Sequence, residues 1–95
     1  MEPNTILIVQ GSADQRKQTC RSLSEKGYLT MGVGSVKEAL AFLSFSSEQV
    51  RMVLTEYQLP DYSGFELKKE IEKIPGIKSL PVVFLDTRIN KFIKN

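Results

Sequence analysis

The chain has 95 residues, of which 41% are hydrophobic and 25% are charged, and these proportions are typical of one small globular domain. Its 13 Lys and Arg residues against 11 Asp and Glu residues leave a net charge of +2, which is too small to indicate a nucleic-acid surface. With no histidine and one cysteine, Cys20, the chain can form no His-based catalytic triad, no His metal site and no internal disulfide.

The segments that could direct the chain to a membrane are missing from this sequence. No apolar run approaches the ~20 residues that a membrane span needs. The N-terminal stretch MEPNT lacks the basic and apolar regions of a signal peptide. We therefore expect a cytoplasmic location.

The first half of the chain alternates between predicted strands and helices. Residues 5–9 form a short apolar run rich in β-branched side chains, the pattern of a strand buried on both faces. A helix is predicted from residue 13 to about 26, after Ser12 as its cap, and Gly27 is a favourable C-terminal stop. A weaker strand is predicted over residues 28–33.

The second half continues the alternation. Ser35 and Glu38 match a capping box, in which the Ser hydroxyl accepts from a free N–H and the Glu reaches back to the cap, and a helix follows. Residues 52–55 are predicted to form the third strand, 65–73 the third helix and 82–85 the fourth strand. Four glycines are expected to adopt backbone conformations that disfavour a side chain: Gly11, Gly32, Gly34 and Gly64.

Strands that alternate with helices predict a parallel sheet with helices on both faces and right-handed crossovers. In such α/β folds the functional site lies at the carboxyl ends of the strands. The strand exits that carry polar residues here are Gln10 with Gly11, Glu56, and Asp86 with Thr87.

With these elements in place, the sequence resembles the receiver domain of bacterial two-component response regulators over nearly its whole length. The stretches that carry the resemblance are ILIVQGSADQRKQTCRSLSEKGY, GSVKEALAFL, MVLTEYQLPDYSGFEL and LPVVFLDT. The LPDYSG loop, residues 59–64, which begins three residues after Glu56, is its most specific part. The resemblance implies an α/β fold, a flavodoxin-like doubly wound parallel sheet of strand order 2-1-3-4 in three α/β/α layers, lacking the family's fifth strand and last helix.

The resemblance also implies a phosphoryl-transfer site, in which an aspartate at the end of the third strand is the acceptor. An acidic pair after the first strand helps to hold Mg²⁺, while a hydroxyl after the fourth strand and a Lys after the fifth bind the phosphoryl oxygens. Here the metal-pocket positions are Gln10 and Gly11, the acceptor position is Glu56, and the switch position is Asp86, with Thr87 one residue late. The site is therefore degenerate at every one of these positions.

Three interpretations of Glu56 stay open. It is a solvated loop residue, a fixed negative charge that partly mimics a phosphorylated acid, or a reactive acceptor that reaches ~1.5 Å further than an aspartate. A metal site shared by Glu56 and Asp86, with Asp61 as a further ligand, is a weaker alternative. We expect no catalytic residue, no metal and no cofactor.

We predict an atypical, or pseudo-, receiver that is not an enzyme. It is expected to act as a phosphorylation-independent protein–protein interaction or regulatory module in signal transduction. Residues 1–95 are expected to be one receiver-like domain, which is incomplete. The alternatives are a small-molecule or nucleotide-binding flavodoxin-like domain, and an N-terminal regulatory fragment of a longer transcription regulator. The expected partner is a protein of a signalling pathway, without nucleic-acid or membrane binding by this domain.

A homodimer is the other association that the sequence suggests. Without a fifth strand, the fourth strand lies at an edge of the sheet and is apolar on both faces, which favours association with another strand. The residues after it include three apolar side chains spaced by three and four. The interface candidates are Val82, Phe84, Ile89, Phe92 and Ile93.

Overall fold

A computed structural model describes residues 3–77 and 79–85. Its elements in chain order are β1 (Thr5–Val9), α1 (Ala13–Glu25), β2 (Leu29–Val33), α2 (Val36–Ser46), a short 3₁₀ turn (Ser47–Gln49), β3 (Val50–Glu56), α3 (Gly64–Glu72) and β4 (Val82–Leu85). The strands form one sheet of order β2-β1-β3-β4, and all three neighbouring pairs are parallel. The predicted alternation and strand order 2-1-3-4 are confirmed.

The central strand β1 is buried on both faces, as its unbroken apolar sequence predicts. Leu7 and Val9 on one face have no exposed surface, and neither does Ile8 on the other. Burial of one such side chain stabilises the fold by ~1.5–3 kcal/mol. The face of Leu7 and Val9 packs against apolar side chains of α2 and α3, which are Val36, Ala39, Leu43, Leu67 and Ile71.

Helix α1 covers the opposite face of the sheet, where Ile8 lies. It packs on β2 and β1. Gly32 of β2 is the register partner of Ile8, and a Cβ atom built on Gly32 would lie 3.2 Å from the Sγ of Cys20 in α1. With α2 and α3 on one face and α1 on the other, the molecule has the predicted three layers.

The helix caps explain two differences from the predicted elements. Helix α3 begins at Gly64, one residue before the predicted start, because Ser63 and Glu66 form a capping box that the sequence reading did not identify. Glu66 N donates to Ser63 Oγ at 3.1 Å, and Ser63 N donates to Glu66 Oε1 at 2.9 Å. At α2, Ser35 Oγ accepts from Glu38 N as predicted, but Glu38 Oε1 accepts from Gly34 N and not from the cap residue.

Strand β3 is longer than predicted and starts at Val50, not at residue 52. The exposed Arg51 interrupts the apolar run, so the sequence pattern hides the first two residues. Val50 pairs with Thr5 and Met52 pairs with Ile6, so Arg51 of β3 is an extra residue at a register irregularity. The strand ends at Glu56, one residue later than predicted, which places this carboxylate at the carboxyl edge of the sheet, beside the end of β1.

Candidate functional site

The Glu56 carboxylate at the end of β3 is held by the two residues that follow β1. Gly11 donates its backbone N–H to Glu56 Oε1 at 3.0 Å. The side-chain Nε2 of Gln10 donates to Glu56 Oε2 over a longer distance of 3.5 Å. Both carboxylate oxygens therefore accept hydrogen bonds, and we call Gln10, Gly11 and Glu56 the Glu56 pocket.

Gln10 is almost completely buried, with 1% of its surface exposed. Its backbone N–H donates to the carbonyl of Val33 at 3.1 Å. Its side-chain Oε1 has no hydrogen-bond partner among the described residues. The opposite orientation of the amide would place this oxygen against the Glu56 carboxylate, so the contact with Glu56 determines which way the amide points. A buried acceptor without a partner costs about 1–3 kcal/mol.

Arg16 of α1 fixes the backbone of Gln10 from the other side. Its Nη1 donates to the Gln10 carbonyl oxygen at 2.7 Å. A Cβ atom on Gly32 would lie 2.9 Å from Arg16 Cγ, and one on Gly34 would lie 3.0 Å from Arg16 Nη1. The Arg16 side chain thus lies in a trough that is open because Gly32 and Gly34 have no side chains.

The expectation that Gly11, Gly32, Gly34 and Gly64 need special backbone conformations was wrong. None of the four has a positive φ, whereas Gly27 at the end of α1 does, with φ of 98°. Gly32 and Gly34 give space to Arg16, as described above. At Gly64, a Cβ atom would clash with the carbonyl oxygen of Glu56. These glycines allow close approach of other groups, a role that sequence alone does not distinguish from a turn.

Asp61 fastens the loop after Glu56 to the start of α2. Its Oδ1 accepts from Val36 N and its Oδ2 from Lys37 N, both at 2.9 Å, and Tyr62 N donates to Oδ1 at the same distance. Desolvation of the carboxyl raises the pKa of Asp61, but the backbone N–H groups together outweigh it and lower this pKa below its ordinary value of 3.8. The Asp61 carboxylate, which the sequence suggested as a further metal ligand, therefore accepts hydrogen bonds from the backbone.

Three aromatic rings meet beside the Glu56 pocket. The ring of Tyr57 stacks on that of Phe84 in β4, with centroids 4.9 Å apart, and Phe65 lies 4.8 Å from Phe84. Phe65 is 55% exposed and Tyr57 37% exposed, so the aromatic cluster forms an apolar patch at the surface. In β4 the interface candidates Val82 and Phe84 are half-buried, whereas Val83, which is not among the candidates, is exposed.

The remaining candidates lie outside the described residues. These are the switch position, Asp86 and Thr87, the metal site shared by Glu56 and Asp86, and the tail residues Ile89, Phe92 and Ile93. Within residues 3–77 and 79–85, no group of three or more His, Cys, Asp or Glu side chains could hold a metal ion. The helices of this part of the chain are also too short or too polar to cross a membrane.

Solved structures with the same fold include response regulator receiver proteins. A response regulator receiver protein from Pseudomonas putida matches with a TM-score of 0.82 at 19% sequence identity, covering 90% of this chain and 69% of that one. The N-terminal domain of a response regulator receiver protein from Methanoculleus marisnigri JR1 matches with a TM-score of 0.78 at 25% identity, covering 85% and 64%. These matches confirm the predicted fold.

Sequence comparisons point to the same family. The chain is 34% identical over 86 residues to the two-component response regulator ORR3 of rice (Oryza sativa subsp. indica), which covers 90% of this chain and 64% of that protein. It is 33% identical over 78 residues to ORR12 of rice (Oryza sativa subsp. japonica), covering 82% and 64%. The chain thus spans less than two thirds of the length of these plant relatives. The bacterial origin that the resemblance suggests for this chain stays a prediction. The family model described as "Response regulator receiver domain" matches residues 6–94, and the chain belongs to this family.

Proposed function

We propose that this receiver domain acts without being phosphorylated, as a protein–protein interaction or regulatory module of a two-component signalling pathway. Receiver domains are signalling modules that interact with other signalling proteins, and this general role follows from family membership. The observation that carries the finer proposal is the pair of hydrogen bonds from Gly11 and Gln10 to the Glu56 carboxylate.

Three features of the Glu56 pocket oppose phosphoryl transfer to Glu56. A carboxylate whose two oxygens both accept hydrogen bonds from N–H groups is a poorer nucleophile than a free one. The attacking oxygen must give up electron density that these hydrogen bonds hold. Glu56 also carries one methylene more than the family's aspartate, and an error near 1 Å in an in-line transfer can reduce the rate by about a hundredfold. Gln10 and Gly11 offer no carboxylate with which to bind the Mg²⁺ that neutralises developing charge.

The same contacts favour a fixed surface in place of a switched one. The loop between β3 and α3 is held at Glu56 by the pocket and at Asp61 by the first turn of α2. Glu56 presents a permanent single charge where a phosphorylated acid would present about two. A partner protein that binds this edge of the sheet would therefore contact a single arrangement of the loop and of the adjoining aromatic cluster.

The proposal is tested by incubating the protein with Mg²⁺ and acetyl phosphate, an acyl-phosphate donor, and measuring its intact mass. We expect no adduct. The Glu56→Asp variant is the matched control for acceptor length, and it is also expected to stay unmodified because Gln10 and Gly11 are unchanged. An adduct of one phosphoryl group on the parent protein that disappears in Glu56→Ala would overturn the proposal.

A further inference from the structure

The Glu56 pocket does not fit the divalent cation that the receiver fold implies. A hard cation prefers several anionic oxygens, and Mg²⁺ also demands a nearly ideal octahedron of ligands. The pocket offers one carboxylate, and both of its oxygens already face N–H donors. The residues that would complete a cation site are an uncharged amide, Gln10, and a residue without a side chain, Gly11.

We propose that the turn formed by Gln10 and Gly11 replaces the cation. Its two N–H donors supply, from within the protein, the positive partner that Glu56 would otherwise find in a metal ion. The pocket therefore keeps its geometry in the absence of any divalent ion. This inference concerns dependence on cations, and its tests are separate from those of the proposal on phosphorylation.

The turn is built to hold these donors in place. Arg16 donates to the carbonyl of Gln10, and the N–H of Gln10 donates to the carbonyl of Val33, so the backbone is fixed on both sides of the residue. The side chain of Gln10 remains buried although its Oε1 has no partner among the described residues. The donor on the same amide faces Glu56, and this contact accounts for its orientation. Arg16 acts here as a positioning residue.

The same geometry makes the pocket a cation site that two substitutions would restore. Gly11 has no positive φ, and a Cβ atom there would lie 3.4 Å from Pro60 Cδ, which is ordinary contact. Aspartate is therefore accommodated at position 11, and at the buried position 10 it is smaller than Gln10. The double variant Gln10→Asp with Gly11→Asp would bring three carboxylates together, which repel one another unless a cation binds between them.

The first experiment measures thermal unfolding of the parent protein and of the double variant in EDTA and in millimolar MgCl₂. The parent is expected to have the same Tm in both solutions. The double variant is expected to have a lower Tm in EDTA and to regain about 5 °C or more with Mg²⁺, since a ligand that binds only the folded state stabilises it. The control Gln10→Ala with Gly11→Ala adds no charge, and its Tm is expected not to respond to Mg²⁺.

A second experiment does not depend on whether the double variant folds. Hydrogen exchange of the Gly11 amide, measured by NMR on the parent protein, is expected to be slow although Gly11 is exposed, because this N–H donates to Glu56. The variant Glu56→Ala removes both acceptor oxygens and is expected to speed this exchange by roughly tenfold. Mg²⁺ is expected to leave the exchange rate of the parent unchanged.

Three results would overturn the inference. The first is a rise in the Tm of the parent protein with Mg²⁺, which would show that a cation displaces the amide donors. The second is a folded double variant whose Tm does not respond to Mg²⁺. The third is rapid exchange of the Gly11 amide in the parent. If the double variant does not fold, the first and third measurements still decide.

Discussion

The carboxylate of Asp61 accepts a hydrogen bond from the backbone N–H of Val36 at 2.9 Å, across 25 positions of the sequence. The same carboxylate also accepts from Lys37 N, so it satisfies the first two N–H groups of α2, which have no partner within the helix. Ser35 Oγ takes the third, that of Glu38. One side chain of the β3–α3 loop thus completes the start of a helix that lies elsewhere in the chain.

Replacing Asp61 with alanine is expected to destabilise the protein by about 1–2 kcal/mol, the range for loss of a helix-capping side chain. Urea denaturation monitored by circular dichroism measures the difference. The matched control is Asp14→Ala, because Asp14 is an exposed acid in the first turn of α1 and contributes only through the helix dipole, about 0.3–1 kcal/mol. Equal losses in the two variants would contradict the role assigned to Asp61.

The lowered pKa of Asp61 predicts a pH dependence of its contribution. Because the folded state binds the charged carboxylate better, the contribution is complete above the unfolded pKa of 3.8 and declines as the pH falls through the lower folded value. The free energy of unfolding of the parent and of Asp61→Asn should therefore converge only below pH 3.8. Urea denaturation of both proteins over a pH series checks this, and a difference that stays constant down to acid pH would refute it.

Gly64→Ala is expected to destabilise the protein by about 1–3 kcal/mol, the range for overpacking a closely packed region. The new Cβ would clash with the Glu56 carbonyl oxygen and lie 2.9 Å from the ring of Phe84. Gly11→Ala is the matched control, since its Cβ has ordinary contacts and its φ is not positive. The Tm of the two variants, measured under the same conditions, should differ by several degrees, with Gly64→Ala the lower.

The sheet edge at β4 predicts self-association. Among the described residues β4 pairs only with β3, and its Val83 is 43% exposed. We expect light scattering at micromolar concentration to give a mass above the 10.7 kDa of one chain. Val83→Lys should shift the protein toward monomer, because a charged residue discourages pairing at an edge strand.

The opposite edge provides the control for this experiment. Leu29 of β2 is 61% exposed, and Leu29→Lys should leave the mass unchanged if β4 carries the association. A single species of 10.7 kDa for the parent protein would show that self-association does not occur under these conditions.

The sequence predicted those elements whose pattern is local. The bounds of β1 and β4 were predicted correctly because each is a short, unbroken apolar run, which indicates a strand in an α/β context. The start of α3 was missed because Ser63 and Gly64 look like the end of a loop, although Ser63 and Glu66 have the spacing of a capping box. That signal was present in the sequence and could have been used.

The sequence predicted that Gln10, Gly11 and Glu56 lie close together, but it did not predict the contacts between them. The strand order 2-1-3-4, which the resemblance to receiver domains implied, places residues 10, 11 and 56 at neighbouring strand ends. The group of Gly11 that donates to Glu56 is a backbone N–H, so no side chain in the sequence indicates this hydrogen bond. The hydrogen bonds from α2 to Asp61 join two segments that are distant in the sequence. How close these segments lie in space depends on how the helices pack, and local sequence patterns do not show this distance.

The trough that Gly32 and Gly34 form around Arg16 makes these positions depend on one another. Alanine at Gly32 would displace the arginine, whereas the same change in a chain that already carries Arg16→Ala would meet only the Sγ of Cys20, at 3.2 Å. The free-energy changes of the two substitutions should therefore not add, and residues in contact commonly deviate from additivity by about 0.5–3 kcal/mol. A route from this sequence to one with a larger residue in β2 would have to change α1 first.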